Sequence, residues 1–437
     1  MQKLLKLFDT NIGKYLVTAI LLVVPLFPKF PSIRIPGTYV AVRLEDFLLL
    51  FVLAFFAIPL LQNIKVLIKN NISRSILLFL GIGLVSLLSG IYLTQSVDPK
   101  IGLLHWIRRI EYLSLFFIGF IYLRNSKDDS NNIFDYVLKI LLIVNLIVFA
   151  YGLGQKYLEF PVIVTQNEEY SKGIALRWVP GAHINSTFAG HYDLASFMVL
   201  IIPTFITAFF VLKDKISKIV LGVSTLFGFW LLSVAVSRIS IVAFMLATTV
   251  SLFLLKKYRE LVLVGVISVL IFGTAPDLQV RYKRIFDVVK QKISSVIIVQ
   301  AQENGNVNED RSTSIRLNVE WPRAIRALSK NPILGTGYSS ITLATDNDYL
   351  RALGETGVFG LLSFLLIFIY LYMHLKNYVF DGSMKSIFIA GFIGSTVGII
   401  ATALFIDIFE ASKFAIIYWL VTGLVVGSIK NKYEQIN

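Results

Sequence analysis

The sequence contains no cysteine, which excludes disulfides and any thiolate metal site. The nucleotide- and metal-enzyme signatures are also missing. There is no G-x-x-x-x-G-K-[ST], no H-E-x-x-H, no G-x-S-x-G and no run with metal-ligand spacing, so ATP hydrolysis and zinc chemistry are poor expectations. No repeat of solenoid period and no low-complexity tract is visible. Charge is sparse as well: 16% of the 437 residues are charged and 56% are hydrophobic. A mean hydropathy of +0.73 does not fit a soluble domain of this size, whose surface must be polar.

What is present is a series of about a dozen apolar stretches, each close to the roughly 20 residues that cross a hydrocarbon core. They lie near Lys14–Phe27, Leu44–Leu61, Ser75–Leu93, Leu103–Leu123, Ile133–Leu153 and Ala189–Leu212. The remainder lie near Ile216–Val236, Ile239–Leu255, Leu261–Thr274, Phe359–Leu375, Ser386–Phe405 and Phe414–Ile429. This pattern predicts an all-α polytopic membrane protein, with residues 1–437 forming a single integral membrane domain.

Lysine and arginine set its expected orientation, because they resist translocation in short loops. One set of loops holds Lys3 and Lys6, Lys65, Lys69 and Arg74, Lys213, Lys215 and Lys218, and Lys256, Lys257 and Arg259. The opposite set is mostly poorer, with Lys100, Arg238 and Lys413, although its first loop holds Lys29, Arg34 and Arg43. An even helix number then puts both termini in the cytoplasm. The formal charge of +14 is largely this topology signal; being scattered over many loops, it does not call for a nucleic-acid partner. The N-terminus resembles a signal peptide, but prolines follow it instead of a small-residue cleavage site, which predicts an uncleaved first helix.

Two outer segments break the short-loop pattern, at about 154–188 and 275–348. The second is too long to be structureless in a compact domain. Gln279-Val280-Arg281-Tyr282-Lys283-Arg284 reads as an interfacial helix, and Gln300 to Ser314 as a polar, mobile stretch. Ile315–Ser329 reads as an amphipathic helix kinked at Pro322 and stopped by Asn331-Pro332.

Polar residues at the outer helix ends are the candidates for chemistry. Arg238 follows Ser237 at a tight turn, where it either snorkels to headgroups or grips a phosphate. Arg108, Arg109 and Glu111 suggest an internal ion pair or a cavity wall. His191, Tyr192 and Asp193 open a helix; Asp193 suits the positive dipole end, and all three suit a polar cavity facing sugar. Arg316, Arg323 and Arg326 share a helix face, either as a solvated basic stripe or as a second phosphate clamp. Asp346-Asn347-Asp348 and Glu355 crowd carboxylates at the mouth of a membrane helix. Capping alone explains one of them, not three. Asp346-Asn347-Asp348 also matches D-x-D, without the soluble domain in which that motif binds a metal.

The order of these pieces resembles the O-antigen ligase and polymerase superfamily. The pieces are Arg177, Ser186-Thr187-Phe188-Ala189-Gly190, Ser237-Arg238, Arg316 with Trp321, Pro332-Ile333-Leu334-Gly335-Thr336-Gly337, Asp346-Asn347 with Tyr349-Leu350, and Glu355-Thr356-Gly357 with Gly360. The early Ile33-Arg34 and Val42-Arg43-Leu44-Glu45-Asp46 also fit. The resemblance implies transfer of a glycan from a polyprenyl pyrophosphate to an acceptor hydroxyl on the outer face of the cytoplasmic membrane, with no metal and no nucleotide sugar. It implies Arg238 and Arg316 on the pyrophosphate and Asp346 as base or orienting group. Arg177, His191, Tyr192, Asn347, Asp348 and Glu355 are then substrate-binding candidates. Ligases of this superfamily carry His where this chain has Asp346, which favours a polymerase. The implied partners are the lipid bilayer, a polyprenyl-pyrophosphate-linked oligosaccharide and an acceptor glycan or lipid; a polymerase can also engage a chain-length regulator. Two other classes compete: a lipid-linked glycan transporter without chemistry, and a metal-dependent transferase using Glu45 and Asp46.

Overall fold

The computed structural model describes residues 12–27, 31–35, 41–162, 176–180, 182–275, 278–279, 314–341 and 344–429. Each apolar stretch expected from the sequence carries a helix. In order these are α1 (Ile12–Leu26), α2 (Leu44–Gln62), a short α3 (Ile64–Lys69), α4 (Asn71–Tyr92), α5 (Pro99–Asn125), α6 (Ser130–Tyr157) and α7 (His191–Val211). There follow α8 (Lys215–Ala235), α9 (Arg238–Leu254), α10 (Tyr258–Thr274), α11 (Trp321–Lys330), α12 (Asp348–Leu375), α13 (Met384–Thr402) and α14 (Ser412–Ser428). Among the described residues, 7 helices are long and apolar enough to cross a membrane: α2, α4, α6, α7, α8, α12 and α13. Helices α1, α9 and α14 are shorter and apolar. The chain is an all-α polytopic membrane protein. Of the second outer segment, residues 280–313 lie outside the described residues, and with them most of Gln279–Arg284 and of Gln300–Ser314.

Two small antiparallel strand pairs were not foreseen. β1 (Pro31–Arg34) pairs with β2 (Ala41–Arg43), with Ile33 opposite Val42. β3 (Pro161–Val162) pairs with β4 (Leu176–Arg177), with Pro161 opposite Arg177. Both lie in connections at the polar end of the bundle and contribute nothing to its core.

The centre of the bundle is formed by α7 and α14. The apolar window of α7 is 83% buried, and α14 is buried almost continuously from Ser412 to Val426. Small residues allow this closeness: a Cβ on Gly423 of α14 would strike the carbonyl of Phe116 on α5, and one on Gly119 of α5 that of Leu420. At the periphery, Leu50, Phe51 and Leu61 of α2 and Val262 and Leu270 of α10 are exposed. Faces of that kind suit hydrocarbon rather than water.

Helix α12 departs most from the sequence expectation. The apolar run begins at Phe359, yet the helix starts at Asp348, because the Asn347 side chain accepts the Leu350 N–H and caps it there. It then breaks at Gly357, where φ 68° and ψ −171° lie in a region essentially reserved for glycine. The break is filled by the Pro332–Gly337 loop. Thr336 N donates to Gly354 O at 3.0 Å, Gly337 N to Glu355 O at 2.8 Å, and Val358 N to Pro332 O at 2.9 Å. Ser86 Oγ of α4 adds a bond to Glu355 O at 2.6 Å. The loop thus completes the hydrogen bonding of a discontinuous helix and anchors the segment that leads to the carboxylate cluster.

One lysine read from the sequence as an outer-loop residue proves to be wholly interior. Lys413 is fully buried and donates to Thr187 O at 2.6 Å and Pro25 O at 3.2 Å, with Phe188 below it at 5.3 Å. It joins the start of α14 to the end of α1 and to the segment before α7.

Gly357→Ala should destabilise the fold by about 2 kcal/mol or more, since the backbone conformation is strained for any Cβ and the new atom would meet Ile333 O. A melting curve in detergent checks this; an unchanged midpoint would show that the break tolerates a side chain.

Candidate functional site

The site lies where the chain turns at one end of the bundle. Here the segment before α7, the α8–α9 turn, the amphipathic segment, the start of α12 and the α13–α14 connection converge. The amphipathic segment forms as expected, but its irregularity precedes Pro322. Residues Arg316–Glu320 form a π turn, with the Trp321 N–H bonded to Arg316 O, and α11 then runs to Lys330 with Asn331 as its cap. Proline contributes no N–H to the first turn of α11, which suits its place just after the wide turn.

The π turn aims Arg316 at the mouth of α12. Its Nε and Nη2 both reach Asp346 Oδ2, at 2.9 and 2.7 Å, a charge-assisted pair in a partly buried setting. Nη2 also donates to the Tyr192 hydroxyl at 3.3 Å. The His191 ring lies 4.0 Å from that of Tyr192 and is stacked on His183 at 4.1 Å. Of the residues expected from sequence, the structure therefore brings Arg316, Asp346, Tyr192 and His191 together. Burial pushes the Asp346 carboxyl above its ordinary range; Arg316 pulls it down and Asp407 pushes it further up.

Asp346 sits at φ 48°, an uncommon conformation for a non-glycine residue. It is held there by Asp407, in the single turn Ile408–Glu410 region between α13 and α14. Asp407 accepts the N–H of Thr345 at 2.7 Å and of Asn347 at 2.8 Å, on either side of Asp346. Asp348 returns the arrangement: its Oδ2 accepts the N–H of Ile408 at 2.8 Å and of Phe409 at 3.2 Å. Arg351 bonds Asp407 at 3.1 Å and approaches Glu355 at 3.6 Å. Asn347, Asp348 and Glu355 thus have structural partners: Asn347 also bonds Leu404 O at 2.9 Å, and Glu355 accepts the Ser339 N–H at 3.2 Å.

Behind this layer is a second, deeper set of ion pairs. Arg109 pairs with Glu410 and bonds Phe409 O at 3.0 Å. Arg108 pairs with Asp46 at 3.1 Å, and Arg43 lies 3.7 Å from Glu45. Glu45 and Asp46, the metal candidates of the sequence, lie against arginines. A small cavity between the two sets is walled by Arg109, Tyr338, Arg351, Glu355, Phe409 and Glu410, with about 30 Å³ open to the centre of a water-sized sphere. That admits water and excludes a sugar.

The remaining candidates are placed less centrally. Arg238 is the first residue of α9, half-buried, after a turn in which Val236 adopts φ 54°. The Ile184 N–H bonds Val234 O at 3.2 Å, which fixes this turn beside the His183–His191 segment. Arg177 lies in β4; its side chain is outside the described residues. Arg326 is exposed, as a solvated face predicts.

Residues 221–365 match the protein-family model described as O-antigen ligase. Over that stretch the chain is similar to the O-antigen ligases. The matched O-antigen ligase segment contains Arg238, Arg316, Asp346 and Glu355, and excludes His191 and Tyr192, which the fold brings to it. No match was found among curated proteins.

Sequence reasoning passed over Arg351, Asp407, Glu410 and Glu320. Asp407 and Glu410 lie in the gap between two apolar runs, and two carboxylates there were the available signal.

Asp407→Ala leaves two backbone N–H groups and much of Arg351 without an acceptor. It should cost about 2–4 kcal/mol, read as a lowered melting midpoint; a stability equal to that of the unaltered protein would contradict the clasp.

Proposed function

We propose that this protein transfers a glycan from a polyprenyl pyrophosphate carrier to an acceptor sugar hydroxyl, by metal-independent inverting glycosyl transfer at the outer face of the cytoplasmic membrane. The observation that carries the reading is the Arg316–Asp346–Tyr192 constellation at a membrane-helix mouth, within a chain similar to O-antigen ligases over residues 221–365. Both termini are then cytoplasmic, and the partners are the bilayer, the lipid-linked donor and the acceptor glycan.

The chemistry follows from the charges. The acceptor oxygen attacks the anomeric carbon as the bond to the phosphate oxygen breaks, and the electron pair leaves with the pyrophosphate. Fixed guanidinium groups stabilise that developing charge in a partly desolvated site. Arg316 is held ready by Asp346 and Tyr192, and Arg238 supplies a second cation from the α9 terminus. His191 and Tyr192 offer a ring surface and a hydroxyl to a sugar. Asp346 either accepts the acceptor's proton or orients its hydroxyl.

We read the enzyme as a polymerase, in which donor and acceptor are both lipid-linked. The family description itself favours the second reading, a ligase acting on a lipid or protein acceptor. Purified protein in lipid vesicles, given a polyprenyl-pyrophosphate oligosaccharide, should produce a ladder of repeats. A single mass shift on a supplied acceptor lipid would instead establish a ligase. Arg316→Ala and Arg238→Ala should each lower turnover by about 100-fold or more with an unchanged melting midpoint; full activity in both would refute the pyrophosphate role.

A further inference from the structure

The π turn that aims Arg316 carries a second ionisable group that the sequence did not single out. Glu320 lies four residues on. The i→i+5 bond widens the turn, so residue 320 falls short of a full turn from 316 and stays on its face. Its Oε2 is buried and accepts no hydrogen bond from the described residues. Beside it, Trp321 Nε1 and Arg323 Nη1 are buried donors without an acceptor among the described residues. A buried polar atom left unmatched costs about 1–3 kcal/mol. Here one acceptor and two donors within four consecutive residues share that condition, near the Arg316–Asp346 pair. Sugar hydroxyls, each of which donates one proton and accepts others, would satisfy both kinds of group.

Asp346 is less suited to receive a proton, because its Oδ2 already takes two N–H bonds from Arg316. Resting on the glycan-transfer reading above, we propose that Glu320 is the catalytic residue that accepts the acceptor hydroxyl's proton, with Asp346 as the positioning residue for Arg316. In the step, the acceptor oxygen forms the bond to the anomeric carbon and its proton passes to Glu320 Oε2. The anomeric carbon–oxygen bond breaks, and its electrons leave on the polyprenyl pyrophosphate. Trp321 Nε1 and Arg323 Nη1 hold oxygens of the same sugar.

The electrostatics around Glu320 are consistent with this task. Burial raises its carboxyl to about 7; Asp346 and Asp407 push in the same direction, and Arg316 and Arg323 oppose them. A base of that kind is deprotonated near neutral pH and still able to hold a proton.

The experiment is the pH profile of kcat/KM for the full-length protein in vesicles, with polyprenyl-pyrophosphate oligosaccharide as probe. In the unaltered protein, activity should fall as pH drops through about 7. Glu320→Gln should lower the rate by about 100-fold or more and abolish this acid limb, with donor binding retained; Glu320→Asp should restore part of the rate. Asp346→Asn should lower the rate and keep the limb. Glu320→Gln with near-normal rate and an intact limb overturns the assignment, as does an acid limb lost in Asp346→Asn alone. If Glu320→Gln fails to bind donor and Glu320→Asp does not recover, the residue is structural and the assignment fails. No product from the unaltered protein with any lipid-linked oligosaccharide overturns the transfer reading and, with it, this one; an active protein with active Glu320→Gln overturns only this one.

Discussion

Two aspartates hold each other's backbone. Asp407 accepts the N–H groups on both sides of Asp346, and Asp348 accepts those of Ile408 and Phe409 just after Asp407. Neither segment is regular structure, so neither has a ladder to satisfy its own N–H groups at the end of a membrane bundle. Each carboxylate supplies what the other segment lacks. The left-handed conformation of Asp346 persists because its neighbours are fixed on either side, and the position of the Arg316 guanidinium follows from that of Asp346. Loosening the clasp would leave the same residues present and the geometry undefined.

The charges at this end occupy two depths. The inner arginines, Arg43, Arg108 and Arg109, are matched by Glu45, Asp46 and Glu410. Pairs of this sort contribute less to stability than to rigidity, since desolvation offsets much of their attraction. Their effect is to make a stiff floor. Arg316 stands above that floor, paired with a carboxylate that a phosphate could replace. A cation held in advance, in surroundings that do not need to reorganise, is what stabilising a departing pyrophosphate requires.

The helices were legible because hydrocarbon demands long apolar runs, and every run carries a helix. Their polar ends were less so. The first turns of α12 hold Asp348, Arg351 and Glu355, which obscured the helix until Phe359. The cap by Asn347 and the break at Gly357 are set by tertiary contacts to the Gly335 loop. The sequence pointed to Arg316, Asp346 and Tyr192 separately. Only folding brings Tyr192 and Arg316, 124 residues apart, within hydrogen-bond reach. Asn347, Asp348 and Glu355 were read as substrate-binding from the resemblance, and the two carboxylates also because charge in apolar surroundings suggests function; backbone groups and Arg351 account for them as well. Glu320 escaped notice because a lone glutamate on an amphipathic helix reads as part of its solvated face, and its burial comes from the fold.

Lys413 makes one part of this architecture depend on another. Its ammonium is solvated by the carbonyls of Pro25 and Thr187, the first of them 388 residues earlier in the chain. A buried ammonium without such acceptors would carry a desolvation cost of several kcal/mol, on the order of 2–5. Helix α14 therefore carries a cation that donates to carbonyls at the end of α1 and in the segment before α7. The seating of α14 is thus conditional on that of α1 and of the segment before α7, so elements far apart in sequence settle together.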